Sequence, residues 1–246
     1  MKFLRLGNAN SEKPAIIDRD NIYRDISSII NDLDPETINE DIIRKIKDIN
    51  LNNFPKIDEN TRIGPCISNP QKFIGVGLNY SDHAKETGAK PPEEPIIFTK
   101  ANSSICGPND DVILPKNSKK TDWEIELGIV IGKKTKNITK EEAINHIFGY
   151  CIVNDISERS FQLERSSGQW DKGKGCDTFG PIGPYLVTKD EIENIDNLNL
   201  ELKVNNKIMQ KGNTKKMIFD CNFLVSYISN FITLYSGDII TTGTPP

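Results

Sequence analysis

The chain is poor in the residues that announce several common chemistries. Its five cysteines, Cys66, Cys106, Cys151, Cys176 and Cys221, are scattered, with no CxxC pair among them. An odd, dispersed set excludes a disulfide framework and a cysteine zinc site, and it fits reduced thiols in a cytoplasmic protein. No apolar run approaches the length of a membrane span. The best, Phe223 to Leu234, is broken by Ser226, Ser229 and Asn230, and its Leu224, Ile228, Phe231 and Ile232 recur at the spacing of a core-facing helix. The opening MKFLRLGNANSEK holds no apolar core long enough for a signal peptide. A concentrated basic face is also missing: 31 Lys and Arg stand interspersed with 35 Asp and Glu, for a net charge of −4. That balance speaks against nucleic acid or an anionic membrane as a partner. Histidine is reduced to His83 and His146.

What remains is an ordinary soluble composition, 36% hydrophobic and 27% charged over 246 residues, enough for one large domain with a small one beside it. Residues 1–70 are rich in Asn, Asp and Ile and hold one helix pattern near Asn39–Ile49, so they read as a small N-terminal α/β accessory domain. From residue 71 to 246 strands predominate. Lys72–Val76, Ile96–Thr99, the apolar run within Asp122–Gly132, Gly149–Asn154 and Pro184–Val187 all predict strands. Leu198–Val204 and Lys207–Met209 flank Asn205-Asn206 as a hairpin would. Thr139 and Glu142 predict a capping box opening a helix over Lys140–Ile147. Strands with helices between them give an α+β class rather than a doubly wound sheet.

Two glycine motifs suggest phosphate binding and fail its requirements. The stretch Gly168 to Gly175, GQWDKGKG, nearly fits G-x-x-x-x-G-K-[ST], but Gly175 carries no hydroxyl, and Pro181, Pro184, Gly180 and Gly183 follow where a helix must begin. Gly75-Val76-Gly77 lacks the third glycine of a dinucleotide fingerprint and reads as a turn. Lys174 is left on a glycine-flanked loop that can approach a partner closely. Glu124-Ile125-Glu126 offers one, since residues i and i+2 of a strand share a face. Alone, such a pair most often faces solvent. Here the strand runs on into apolar Leu127–Ile131, and Asp155 follows the second apolar strand, so three carboxylates can form a hard oxygen site for Mg²⁺, Mn²⁺ or Ca²⁺ with open positions. His83 and Glu86 are i,i+3 neighbours, the pairing of a carboxylate-oriented general base, though such a pair taken alone is more often an idle exposed helix. His146 reads as a surface residue near a helix C-terminus.

Taken together, the residues resemble the fumarylacetoacetate hydrolase family. The matching elements are Gly75-Val76-Gly77-Leu78-Asn79-Tyr80 with His83 and Glu86, Phe98-Thr99-Lys100, Asp122-Trp123-Glu124-Ile125-Glu126, Asn154-Asp155 through Arg159, Gln169-Trp170 with Gly173-Lys174-Gly175, and Gly237-Asp238 with Thr242-Gly243-Thr244-Pro245. They run in consistent order over about residues 70 to 246. The nearest branch holds ureidoglycolate lyases, hydrolases of 2,4-diketo-3-deoxy sugar acids and 2-hydroxyhepta-2,4-diene-1,7-dioate isomerases. The resemblance implies a large mixed β-sheet roll, a homodimer, and Mg²⁺ or Mn²⁺ held by Glu124, Glu126 and Asp155. It implies a small-molecule 2-oxo carboxylic acid as substrate, cleaved at a C–C bond of a 2,4-diketo acid through a metal-stabilised enolate. His83 with Glu86 would activate water and Lys174 would stabilise developing charge, while Lys100, Gln169 and Thr244 would contact the substrate, as would Arg159 unless it is a structural salt-bridge partner instead. Isomerase, decarboxylase or ureidoglycolate lyase chemistry at the same metal is the alternative. The family pattern continues past Gly-Thr-Pro, so further C-terminal strands are expected beyond Pro246.

Overall fold

The structure, a computed structural model, describes residues 1–88, 90–165 and 167–246. It opens with three short strands, β1 (Lys2–Leu6), β2 (Lys13–Ile17) and β3 (Tyr23–Asp25), joined as an antiparallel meander. Helix α1 (Glu40–Lys47) follows; the Asn39 side chain accepts the Asp41 N–H, acids fill its first turn and bases its last, and Ile42 and Ile46 are buried. Next come β4 (Phe73–Gly77), α2 (Ser81–Thr87), β5 (Ile96–Lys100) and the two-residue strands β6 (Ile105–Cys106) and β7 (Thr121–Asp122). The centre is β8 (Ile125–Ile131), α3 (Lys140–Ala143), β9 (Ile147–Asn154) and β10 (Ser157–Glu158). The last third holds α4 (Asp171–Lys174), β11 (Gly180–Pro181), β12 (Leu186–Thr188), the hairpin β13 (Asn199–Val204) and β14 (Lys207–Asn213), α5 (Cys221–Phe231) and β15 (Ile239–Thr241).

Nine strands form one mixed sheet in the order β3-β2-β1-β12-β9-β8-β15-β4-β5. Only β15 and β4 run parallel; every other neighbouring pair in this sheet is antiparallel. All seven residues of β8 are buried, as in a strand covered on both faces. Leu127, Ile129 and Ile131 pack toward Leu224, Val225 and Ile228 of α5, while Val130 joins Phe148, Val153 and the α1 residues Ile42 and Ile46 on the opposite side. Full burial of each such side chain contributes roughly 1.5–3 kcal/mol. Across residue 70, β1 pairs with β12, and Phe3 and Ile16 share a core with Phe73 and Val130.

Of three local expectations, one holds outright and two differ in instructive ways. The capping box of Thr139 and Glu142 forms, but the helix ends at Ala143, because Ile147 is taken into β9 opposite Ile131. Asn205 and Asn206, at φ 50° and 64°, make the expected hairpin turn. Gly75-Val76-Gly77 is strand rather than turn. A Cβ on Gly75 would fall 2.2 Å from the Phe98 ring and one on Gly77 would fall 2.4 Å from the Trp170 ring. The glycines are there to let two aromatic rings lie against the backbone.

Candidate active site

Two adjacent strand ends build the floor of the site. Glu126 lies in β8 and Glu124 one residue before it, so both project from the same face. Asp155 follows β9 directly, and its N–H donates to the Glu124 carbonyl at 2.9 Å, which locks the two strand ends together. One oxygen from each of Glu124, Glu126 and Asp155 lies within 4.8 Å of the others, and all three residues are buried.

Cations reach this floor from two sides. Lys174 donates 2.7 Å bonds to both Glu124 Oε2 and Asp155 Oδ2. It sits at the end of the short helix α4, not on the loop its glycines suggested. Gly173 is required by packing: a Cβ there would meet the Gln162 backbone N at 2.6 Å. Asp171 accepts the Thr99 N–H at 3.0 Å and so ties α4 to β5. Burial opposes the lysine charge, but Asp155, Glu124 and Glu126 outweigh it and hold the ammonium pKa above its ordinary value.

Lys100, expected to contact substrate, lies against the far side of Asp155. Its ammonium is fully buried, donates to Asp155 Oδ1 at 2.6 Å and to the Lys174 carbonyl, and is not part of the cleft wall. It fixes the far side of Asp155 as a structural counter-charge. Arg159 lines the cleft, held by Asp122 Oδ2 at 2.9 Å, Glu124 Oε1 at 2.6 Å and Gln162 Oε1 at 3.0 Å. Gln169 is exposed and lines a separate 400 Å³ cleft that shares only the Phe98 and Trp170 rings with the first. Gln162, which sequence reasoning missed, takes its place in the carboxylate cleft. The Thr244 hydroxyl is committed on both sides, donating to the Ile125 carbonyl at 2.9 Å and accepting from Gln210 Nε2 at 2.8 Å.

The cleft over this floor measures 540 Å³, and His83, Leu78, Phe98, Leu163 and Trp170 are among its walls. His83 Nδ1 lies 3.4 Å from Glu86 Oε2, a long contact between a half-buried ring and a mostly exposed carboxylate. The segment that carries His83 hangs from Asn79. Its fully buried amide bonds the Phe219 carbonyl and N–H and the Thr242 carbonyl, joining three loops at the cleft. No sequence motif singles out that role.

The donor set fits a hard divalent cation. It is all oxygen and carries three potential negative charges. Glu124 and Asp155 have ion-pair partners, whereas Glu126 forms none among the described residues and accepts only the Gly243 N–H at 2.7 Å. Burial, then Asp155 and Glu124 beside it, push the Glu126 carboxyl well above the usual carboxylate range. A cation at this place would offset that penalty directly.

Comparison with known proteins points the same way. Residues 72–246 match the family model described as fumarylacetoacetate (FAA) hydrolase C-terminal. A Burkholderia lata protein named only by a general hydrolase class is 49% identical over 246 residues, which is all of this chain and 87% of that protein. Maleylpyruvate hydrolase from Sphingobium sp. SYK-6, solved with manganese(II) and pyruvate, superposes with a TM-score of 0.84 at 26% identity, covering 100% of this chain and 89% of that one. The 5-carboxymethyl-2-hydroxymuconate delta-isomerase from Mycobacterium smegmatis gives a TM-score of 0.78 at 33% identity, over 100% and 88%.

Proposed function

Because the chain belongs to the fumarylacetoacetate hydrolase family, we propose that it is a divalent-metal-dependent hydrolase that cleaves a C–C bond in a 2,4-diketo acid. The observation that carries this reading is Glu126, a buried carboxylate without an ion-pair partner among the described residues, set between two partnered ones at the base of a cleft shared with His83 and Lys174. Glu124, Glu126 and Asp155 would hold Mg²⁺ or Mn²⁺. The ion would bind the 2-oxo acid and polarise it as a Lewis acid.

The chain's own groups supply the remaining parts. His83, oriented by Glu86, takes a proton from a water that adds to the carbonyl distant from the 2-oxo acid. The C–C bond between that carbonyl carbon and the neighbouring methylene then breaks; its electron pair leaves with the 2-oxo acid fragment as the enolate, and the distant carbonyl leaves as a carboxylic acid. Protonation of the methylene carbon completes pyruvate. Lys174 meets the negative charge as it develops, in a buried position where a preorganised donor is worth about 3–4 kcal/mol of transition-state stabilisation. Phe98 and Trp170, packed 5.6 Å apart, keep one wall of the cleft dry.

The likeness to an isomerase over the whole chain supports a second reading, in which the same floor moves a proton without adding water. Decarboxylation and ureidoglycolate cleavage fall in the same class. His83→Asn separates the two: pyruvate release should fall about 100-fold or more if His83 is the base, with Mn²⁺ affinity unchanged. Full retention of hydrolysis would remove His83 from the mechanism. The homodimer implied by the resemblance belongs to this reading and is tested by sedimentation.

A further inference from the structure

The walls of the cleft say which tail the acid carries. Burial gives the cleft a direction. Glu126 and Lys174, at 1% and 2% exposed, form its base, and the Leu163 residue, at 61%, forms part of its rim. Glu124, Glu126 and Lys174 charge the base, where the Lys174 ammonium lies 5.1 Å from the Phe98 ring centroid, and Leu78, Leu163 and Trp170 are apolar members of the lining beside Asp122, Arg159, Gln162 and His83.

Leu78 is held at φ 53°, a left-handed conformation that a leucine adopts only against a steric penalty and that glycine or asparagine would adopt freely. The chain therefore keeps a branched apolar side chain on the cleft wall where its backbone favours a small or polar one. Leu163, 61% exposed, adds a second large apolar side chain to the lining.

The charges complete the argument. The two permanent cations in the lining are both engaged by protein carboxylates, Lys174 by Glu124 and Asp155 and Arg159 by Asp122 and Glu124. A metal ion at the floor would compete for Glu124 and Asp155, but Asp122 stands outside that set and keeps Arg159 through bonds from both Nε and Nη2. The Asp122 side chain is 40% exposed, and its charge is matched by Arg159. A second carboxylate at the far end of a substrate would meet Leu78, Leu163 and Trp170, with Arg159 already held by Asp122. Desolvating it there without a counter-ion is unfavourable.

We infer that this site selects 2-oxo acids whose distal tail is uncharged, and that Leu78, Leu163 and Trp170 form the surface that receives the tail. The inference rests on the metal-dependent reading of the floor, and it sets this chain apart from relatives whose names denote dicarboxylic substrates.

The test is a length-matched pair of non-cleavable probes, 2-oxohexanoate and 2-oxoadipate, which differ only in a terminal methyl against a terminal carboxylate. Binding is measured by calorimetry with Mn²⁺ present. The monoacid should bind about tenfold tighter or better. Equal binding, or tighter binding of the diacid, would overturn the inference while leaving the metal-dependent reading intact, because both acids then bind. Binding of neither acid would overturn that reading and the inference with it. Leu163→Arg, a change at an exposed position, should narrow or reverse the preference by about tenfold; an unchanged ratio would remove Leu163 from the tail surface.

Discussion

Glu126 and Glu158 are buried to the same degree, 1% and 0% exposed, yet the fold treats them in opposite ways. Glu158 accepts from the hydroxyls of Ser118, Thr121 and Ser160 and from the N–H groups of Lys119, Lys120 and Ser160. Burial would raise its pKa, but those donors, led by Ser118 and Ser160, outweigh it and bring the carboxyl down to about 2. Glu126 accepts a single N–H and is pushed up. Glu158 is a finished structural joint, stapling the 118–121 loop to β10. The Glu126 carboxylate carries a burial penalty that the protein alone leaves uncompensated. A buried acid with all its acceptor sites filled holds the fold, and one with a single donor beside two other acids marks where chemistry happens.

The comparison can be broken by isosteric substitution. Glu126→Gln should cost about 100-fold or more in Mn²⁺ affinity, since a ligand is lost outright. In metal-free protein it should leave the unfolding free energy unchanged or raise it, because a group whose charged form burial disfavours is replaced by a neutral amide that can still accept the Gly243 N–H. Calorimetric Mn²⁺ titration and urea unfolding read the two halves of that expectation. Glu158→Gln should do the reverse: about 2–3 kcal/mol of stability lost in urea, as charge-assisted bonds to one carboxylate disappear, with Mn²⁺ affinity within about twofold. A Glu158→Gln protein as stable as the parent would contradict the structural assignment.

pH sharpens the same contrast by a smaller effect. Because the folded pKa of Glu158 is depressed to about 2 from its ordinary value of 4.5, its contribution is fully present above 4.5 and is lost as pH falls toward 2. The stability gap between the parent and Glu158→Gln should therefore be constant near neutrality and close progressively below about pH 4.5. Urea midpoints at pH 6, 4 and 3 would show it. A gap that widened on acidification would reverse the sign and exclude the depressed pKa.

The sequence carried the parts of this picture that depend on short-range pattern. The apolar run of β8, the Thr139–Glu142 capping box and the Asn205-Asn206 turn are local signals, and each forms. The Glu124–Glu126 spacing and the position of Asp155 after an apolar strand gave the carboxylate floor for the same reason. What sequence could not supply is non-local. Lys100 ends an edge strand, and only the order β15-β4-β5 and the packing of α4 bring it to Asp155. Gln169 and Gln162 are both plausible polar contacts on one segment; the helical turn over Ser160–Glu164 and the close approach of Gly173 turn Gln162 into the cleft. The N-terminal strands looked separable because their composition differs, yet β1 finds its neighbour β12 more than 180 residues away, with Phe3 opposite Leu186.

The central claim, that Glu126 belongs to a metal site that hydrolyses diketo acids, is tested most directly by following the ultraviolet absorbance of a small acylpyruvate with the protein and Mn²⁺. The account predicts loss of absorbance with pyruvate release, abolished by chelation, restored by Mn²⁺ and absent in Glu126→Gln. Pyruvate release that persists through chelation, or at parental rate in Glu126→Gln, would contradict it.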